Sequence, residues 1–250
     1  MIRMSMEDRE KRNFLMELTT DAQSLMYQGK KKEALECYDR ILAKYPDDIT
    51  VIYGKGMIYF EFDDLKEAIV CFNKAIEINP EDIDSLYAKG AILSSLGKND
   101  EAIELFDTVI KHDTKFVIAW LAKGYALLNI EKSEEALQCF VEIEKLGRKE
   151  VALSGKGHAL RKLNELEKAT KSYQEAIKID PYDPEALFGL GMIAYKNENL
   201  KSATKFLYRS VIQDDDNLEA WEILAEIYKK TNDVEKEKAA LTKISELKEK

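Results

Sequence analysis

Three groups of residues have types and spacings that could do chemistry. Gly189-Leu190-Gly191-Met192-Ile193-Ala194 fits the GxGxxG/A spacing, in which glycines let a pyrophosphate approach backbone N–H groups where a helix opens. Ser154-Gly155-Lys156-Gly157 has the small residues and the lysine of a phosphate-holding loop. Cys37, Cys71 and Cys139 offer thiols, and His112 and His158 offer imidazoles, for metal ligation or nucleophilic catalysis. Each group lacks the surroundings its chemistry needs. No strand pattern precedes Gly189, the full GxxxxGK[ST] loop is absent, and no paired Asp or Glu beside either histidine marks a metal site. The cysteines show neither a disulfide framework nor zinc spacing. No cofactor and no metal are expected.

A repeat places all of these residues. Gly56, Gly90, Gly124, Gly157 and Gly191 recur at spacings of 34, 34, 33 and 34. Ala34, Ala68, Ala102, Ala136, Ala169 and Ala203 form a second ladder, and four residues on come Tyr38, Phe72, Phe106, Phe140, Tyr173 and then Leu207. Each cysteine directly precedes an aromatic of that ladder. The Lys-Gly pair recurs as Lys55-Gly56, Lys89-Gly90 and Lys123-Gly124, so both glycine motifs belong to the repeat. Trp120 and Trp221 share a position with Leu18, Ile52, Leu86, Leu153 and Leu187 and are expected in the core.

Each repeat reads as two amphipathic helices. In the second they are expected over Ile49–Glu61 and Leu65–Ile78, where apolar residues recur at helical spacing. Asn79-Pro80 ends the pair, because proline disfavours helix at the residue before it. Glycine on the first helix and alanine on the second permit close approach, and the aromatic one turn on fills the space beyond.

Composition agrees with a folded helical chain. Of 250 residues, 45% are hydrophobic and 34% charged, with only 4 Pro and 11 Gly. The net charge of −9 repels phosphate backbones, so nucleic-acid binding is not expected. A helical repeat that binds RNA would need a basic groove, and only the fifth repeat is basic there. No run of 18 apolar residues exists, so no membrane span is expected. The start, MIRMSMEDREKRNF, lacks the apolar core of a signal peptide, and a cytoplasmic protein is expected.

These ladders resemble the tetratricopeptide repeat (TPR) family of helix–turn–helix repeats. In that register the repeats are 15–48, 49–82, 83–116, 117–149, 150–183, 184–217 and 218–250, preceded by a charged extension, 1–14. The resemblance implies an all-α, right-handed superhelix of about fourteen antiparallel helices in one solenoid domain. Departures fall mainly at the ends: Ala22 and Ala225 replace glycine, and Glu237 replaces the packing alanine. The fourth repeat is one residue short around Leu146-Gly147-Arg148-Lys149.

The family usually binds a peptide in a concave groove lined by first helices. Its groove positions correspond here to Tyr53, Met57, Phe60, Tyr87, Ala91, Leu121, Tyr125 and Leu128, then basic His158, Arg161 and Lys162. Phe188, Met192 and Tyr195 follow, then an acidic stripe of Glu219, Glu222 and Glu226. Gly54, Ala88, Ala122, Gly155 and Gly189 are small at one groove position, either to form pockets or to admit neighbouring helices. Thr19, Gln23 and Gly54 depart from the Lys/Asn clamp that holds chaperone C-termini. The resemblance therefore implies a non-enzymatic scaffold or adaptor for a protein or peptide partner, with acidic ligand groups near Arg161 and Lys162 and basic ones near Glu222 and Glu226. The alternative is a homo-oligomer formed through the terminal repeats, its groove filled by a neighbour's Met1–Phe14.

Overall fold

The computed structural model describes residues 6–249, and these form fourteen α-helices and no strand. The chain divides into two compact units, Met1–Ala119 and Trp120–Lys250. The first contains α1 (Met6–Tyr27), α2 (Lys31–Lys44), α3 (Ile49–Glu61), α4 (Leu65–Ile78), α5 (Ile83–Ser95) and α6 (Asn99–His112). The division falls within α7 (Val117–Asn129). The second unit continues with α8 (Ser133–Lys145), α9 (Lys149–Lys162), α10 (Leu166–Ile179), α11 (Pro184–Lys196), α12 (Leu200–Gln213), α13 (Leu218–Lys230) and α14 (Val234–Glu249). Within each unit, odd and even helices pack as pairs and each pair packs on the next. The two helices expected for the second repeat coincide with α3 and α4.

The ladders are the core. Ala34, Ala68, Ala102, Ala136, Ala169 and Ala203 are fully buried, with Phe72, Phe106, Phe140, Tyr173 and Leu207 beside them. Glycine explains how the aromatics fit. A Cβ at Gly56, Gly90, Gly124 or Gly157 would overlap the aromatic of its own repeat, and one at Gly191 would overlap Leu207. The second set of small residues has the same job toward the preceding repeat. A Cβ at Gly54 would strike Tyr38, one at Gly155 would strike Phe140, and one at Gly189 would strike Tyr173. Phe140 and Tyr173 are thus each gripped between two glycines. Of the two roles considered for these groove glycines, admitting the neighbouring helix is the one observed.

Turn chemistry sets the ends. Every repeat places its fifteenth residue in the left-handed region after the first helix: Gly29, Asp63, Gly97, Glu131, Asn164, Glu198 and Asn232. Asp48, Asp82, Asp183 and Asn217 cap the following odd-numbered helices, each accepting the N–H of the third helical residue. The short fourth repeat uses a different turn. Leu146 keeps a near-helical φ of −74° and Gly147 turns left-handed at 79°, where other even helices end on an extended residue such as Asn79.

Three details differ from the sequence reading. Residues 6–14, expected ahead of the first repeat, are helical and continuous with α1, while Met1–Ser5 lie outside the described residues. Trp120 and Trp221 are half-buried, not core: Leu153 and Leu187 fill the same position completely, whereas an indole is too large to be enclosed there. The Trp221 indole donates to the Asp215 carbonyl at 3.0 Å instead. Leu128 is only 4% exposed and belongs to the core, not to the groove.

Candidate functional site

Odd-numbered helices carry the candidate residues. In the first unit α3 presents Tyr53, Met57 and Phe60, and α5 presents Tyr87. Phe60 is exposed and the other three are half-buried. Tyr53 and Met57 line a cleft of about 340 Å³ with Thr19, Gln23 and Met26 of α1, over a floor of Tyr38, Gly54 and Ile58. The tyrosines serve core and surface together. The Tyr53 ring lies 5.6 Å from that of Phe72, and Tyr87 lies 5.9 Å from Phe106 and 5.6 Å from Phe116. Burial pushes both phenols above their ordinary pKa, so they remain neutral donors. This cleft can enclose an apolar side chain, with Gln23 available to a peptide backbone and Thr19, whose hydroxyl donates to the Leu15 carbonyl at 2.8 Å, able to accept from one.

In the second unit, Leu121 and Tyr125 lie on α7, His158, Arg161 and Lys162 on α9, Phe188, Met192 and Tyr195 on α11, and Glu222 and Glu226 on α13. Lys162, Glu222 and Glu226 are exposed and the others half-buried. Three helices meet on one carboxylate. The Tyr125 hydroxyl donates to Glu185 Oε2 at 2.5 Å, and His158 Nδ1 lies 3.1 Å from Glu185 Oε1. Ser154 donates to Asp183, whose other oxygen caps α11 through the Ala186 N–H. Burial, and then the adjacent Glu185 charge, push the Tyr125 phenol far above its ordinary pKa. Tyr173 is raised too, by burial first, with Arg161 pulling the other way through charge and a hydrogen bond.

The expected charge pattern is therefore partly neutralised within the unit. His158 faces Glu185. Lys248 lies 2.9 Å from Glu222, and Lys230 lies 2.8 Å from Glu226 and donates to the Tyr195 hydroxyl. Glu226 is held below the usual carboxylate range by Lys230 and then Tyr195. The sequence reading missed Glu185 and Asp183, whose signal was an acidic pair flanking Pro184 at the opening of a first helix. It also missed Lys196, at the last groove position of the sixth repeat. Among the described residues, no group of three His, Cys, Asp or Glu is placed to hold a metal ion. None of the three cysteines is in a disulfide; Cys37 and Cys139 are buried and Cys71 is half-buried. No described helix is long and apolar enough to cross a membrane.

Known proteins agree with this architecture. Sequence models of the tetratricopeptide repeat match residues 22–48, 50–82, 71–104, 157–198 and 218–250, together more than half of the chain. The chain belongs to the TPR family. No curated protein sequence matches it. Among solved structures, a tetratricopeptide repeat protein from Parabacteroides merdae superposes with a TM-score of 0.79 at 15% identity, over 94% of this chain and 93% of that one. PilF of Pseudomonas aeruginosa gives 0.65 at 16% identity, over 80% and 91%. YrrB, described as a TPR protein with an unusual peptide-binding site, gives 0.60 at 17% identity, over 76% and 98%. At these identities the likeness shows the fold: an all-α TPR solenoid, the architecture of a protein–protein interaction scaffold.

Proposed function

We propose that the protein is a non-catalytic adaptor that holds a peptide segment of a partner protein against its first helices. One observation carries this reading: the cleft at Tyr53 and Met57, where half-buried side chains stand over Tyr38, Gly54 and Ile58 with neutral polar groups at the rim. An apolar anchor buried there would contribute about 1.5–3 kcal/mol, and a micromolar complex needs only about −8 kcal/mol. A few anchors of this kind along the odd-numbered helices would suffice. A site for chemistry must exist beyond the fold itself, and the groups assembled here serve packing, capping and pairing.

Photo-crosslinking tests the proposal directly. A benzoylphenylalanine at position 57, introduced in the native cell, should capture one or a few proteins. The same probe at Val70, 66% exposed on α4, should not capture them. Equal capture from both positions, or none from position 57, would sink the groove reading.

Self-association through the amino-terminal segment has less support. The Phe14 ring packs edge-on against Tyr45 at 6.4 Å, and Phe14 and Leu15 join the core of the first repeat. Donating residues 6–14 to a neighbour would break the Phe14 contacts.

A further inference from the structure

A second cleft, of about 300 Å³, lies in the second unit between the ends of α9 and α11 and the start of α10. Arg161, Leu166, Met192, Ile193, Tyr195 and Lys196 line it. Its arginine is unusual in its partners. Lys156, His158 and Lys243 are half-buried, as Arg161 is, and each faces a carboxylate: Glu144, Glu185 and Asp215. Arg161 faces none. A guanidinium carries five donors, yet the Arg161 partner within the protein is the neutral Tyr173 hydroxyl, and its Nε is buried with no acceptor. Lys196 likewise donates to a neutral oxygen, Oδ1 of Asn164, at 2.7 Å.

Carboxylates are not scarce in a chain with 47 acidic and 38 basic residues. A buried donor without an acceptor costs free energy, and the cost is recovered if the half-buried guanidinium turns its Nε–H toward an acceptor supplied by a ligand in the cleft. Complementing the helix dipole would be a simpler role for cations in a last turn, but it would not leave the Arg161 Nε unbonded. The planar fork of arginine matches the two oxygens of a carboxylate, which a point-charge lysine can only assist. Met192, Leu166 and Ile193 supply an apolar wall beside the two charges.

We propose that this cleft seats a carboxylate of the bound peptide, either its C-terminus or an Asp or Glu side chain, on Arg161 and Lys196, with the adjoining apolar side chain against Met192. The inference rests on the peptide-binding reading and extends it to the chemistry of the ligand. The test uses the full chain and three small probes: N-acetyl-leucine for a terminal carboxylate, N-acetyl-aspartate α-amide for a side-chain carboxylate, and N-acetyl-leucinamide as the neutral control. The readout is the NMR signal of the Arg161 side-chain Nε–H, assigned by its loss in Arg161→Lys.

At least one carboxylate probe should move that signal saturably and the amide should not; the tighter of the two carboxylates names the source. Arg161→Gln should weaken that probe at least tenfold, and Lys196→Gln about threefold, with the helical circular dichroism of each variant confirming that it is folded. No movement with either carboxylate, or equal movement with the amide, overturns the proposal. Crosslinking at position 57 with no response at Arg161 would remove this inference alone. A response at Arg161 without crosslinking would remove the groove reading and leave the carboxylate seat standing.

Discussion

At the scale of single residues, backbone conformation makes the clearest demand. Seven successive repeats put a left-handed residue after the first helix, but only Gly29 and Gly97 are free of the Cβ penalty there. Glu198, at φ 57°, and Glu131, at 61°, are exposed and pay it. A non-glycine residue in that region costs about 1–2 kcal/mol, partly offset by the extra freedom glycine has when unfolded. Glu198→Gly should therefore raise stability by about 0.5–1 kcal/mol, measured as a higher denaturation midpoint in urea at unchanged slope. The sequence shows glycine in two of these seven places, so the shared conformation is invisible to a search for glycine ladders. The sequence did expose the glycines that grip the aromatics, because in five successive repeats a Cβ at that position would overlap the residue it packs on, while only the first and last repeats carry alanine there. Whether Gly54, Gly155 and Gly189 faced a ligand or a helix was not readable, since which neighbour occupies the space is a tertiary fact.

At the scale of elements, helix boundaries were legible where caps and prolines mark them, as for α3 and α4. They were not legible at α1, whose charged first turns carry no apolar periodicity. The site was legible in part. Register placed Tyr53, Met57 and Met192 on first helices, but pairing depends on which rotamers meet across helices, and so Glu185 went unnoticed as the partner of Tyr125 and His158. That partnership has a pH signature. Below about pH 10 both the folded and the unfolded chain keep a tyrosine protonated. Above it the unfolded chain releases the proton while the raised phenols of Tyr125 and Tyr173 keep theirs. Stability then falls by about 1.4 kcal/mol per pH unit for each such phenol. Tyr125→Phe should lessen this alkaline loss above pH 10, and urea denaturation at pH 9, 10 and 11 measures it. An unchanged slope would mean that the Tyr125 phenol titrates normally.

At the scale of the whole molecule, two compact units built from nearest-neighbour contacts predict that damage stays local. Gly189→Ala presses a Cβ into the ring of Tyr173, which is 1% exposed and already gripped by Gly157 on its other side. Overpacking of this kind costs about 1–3 kcal/mol. Hydrogen exchange should speed up in α10 to α12 and stay unchanged in α1 to α6; a uniform acceleration would show that the chain unfolds as one body. The Tyr125–Glu185 contact breaks the nearest-neighbour rule. By reaching from α7 to α11, Tyr125 joins the fourth repeat to the sixth over the top of the fifth. Under mechanical load a solenoid peels from its end one helix pair at a time. Here the peeling front would stall when it met this stitch, and the repeats spanned by it would give way together, as a single rip instead of a series of small steps.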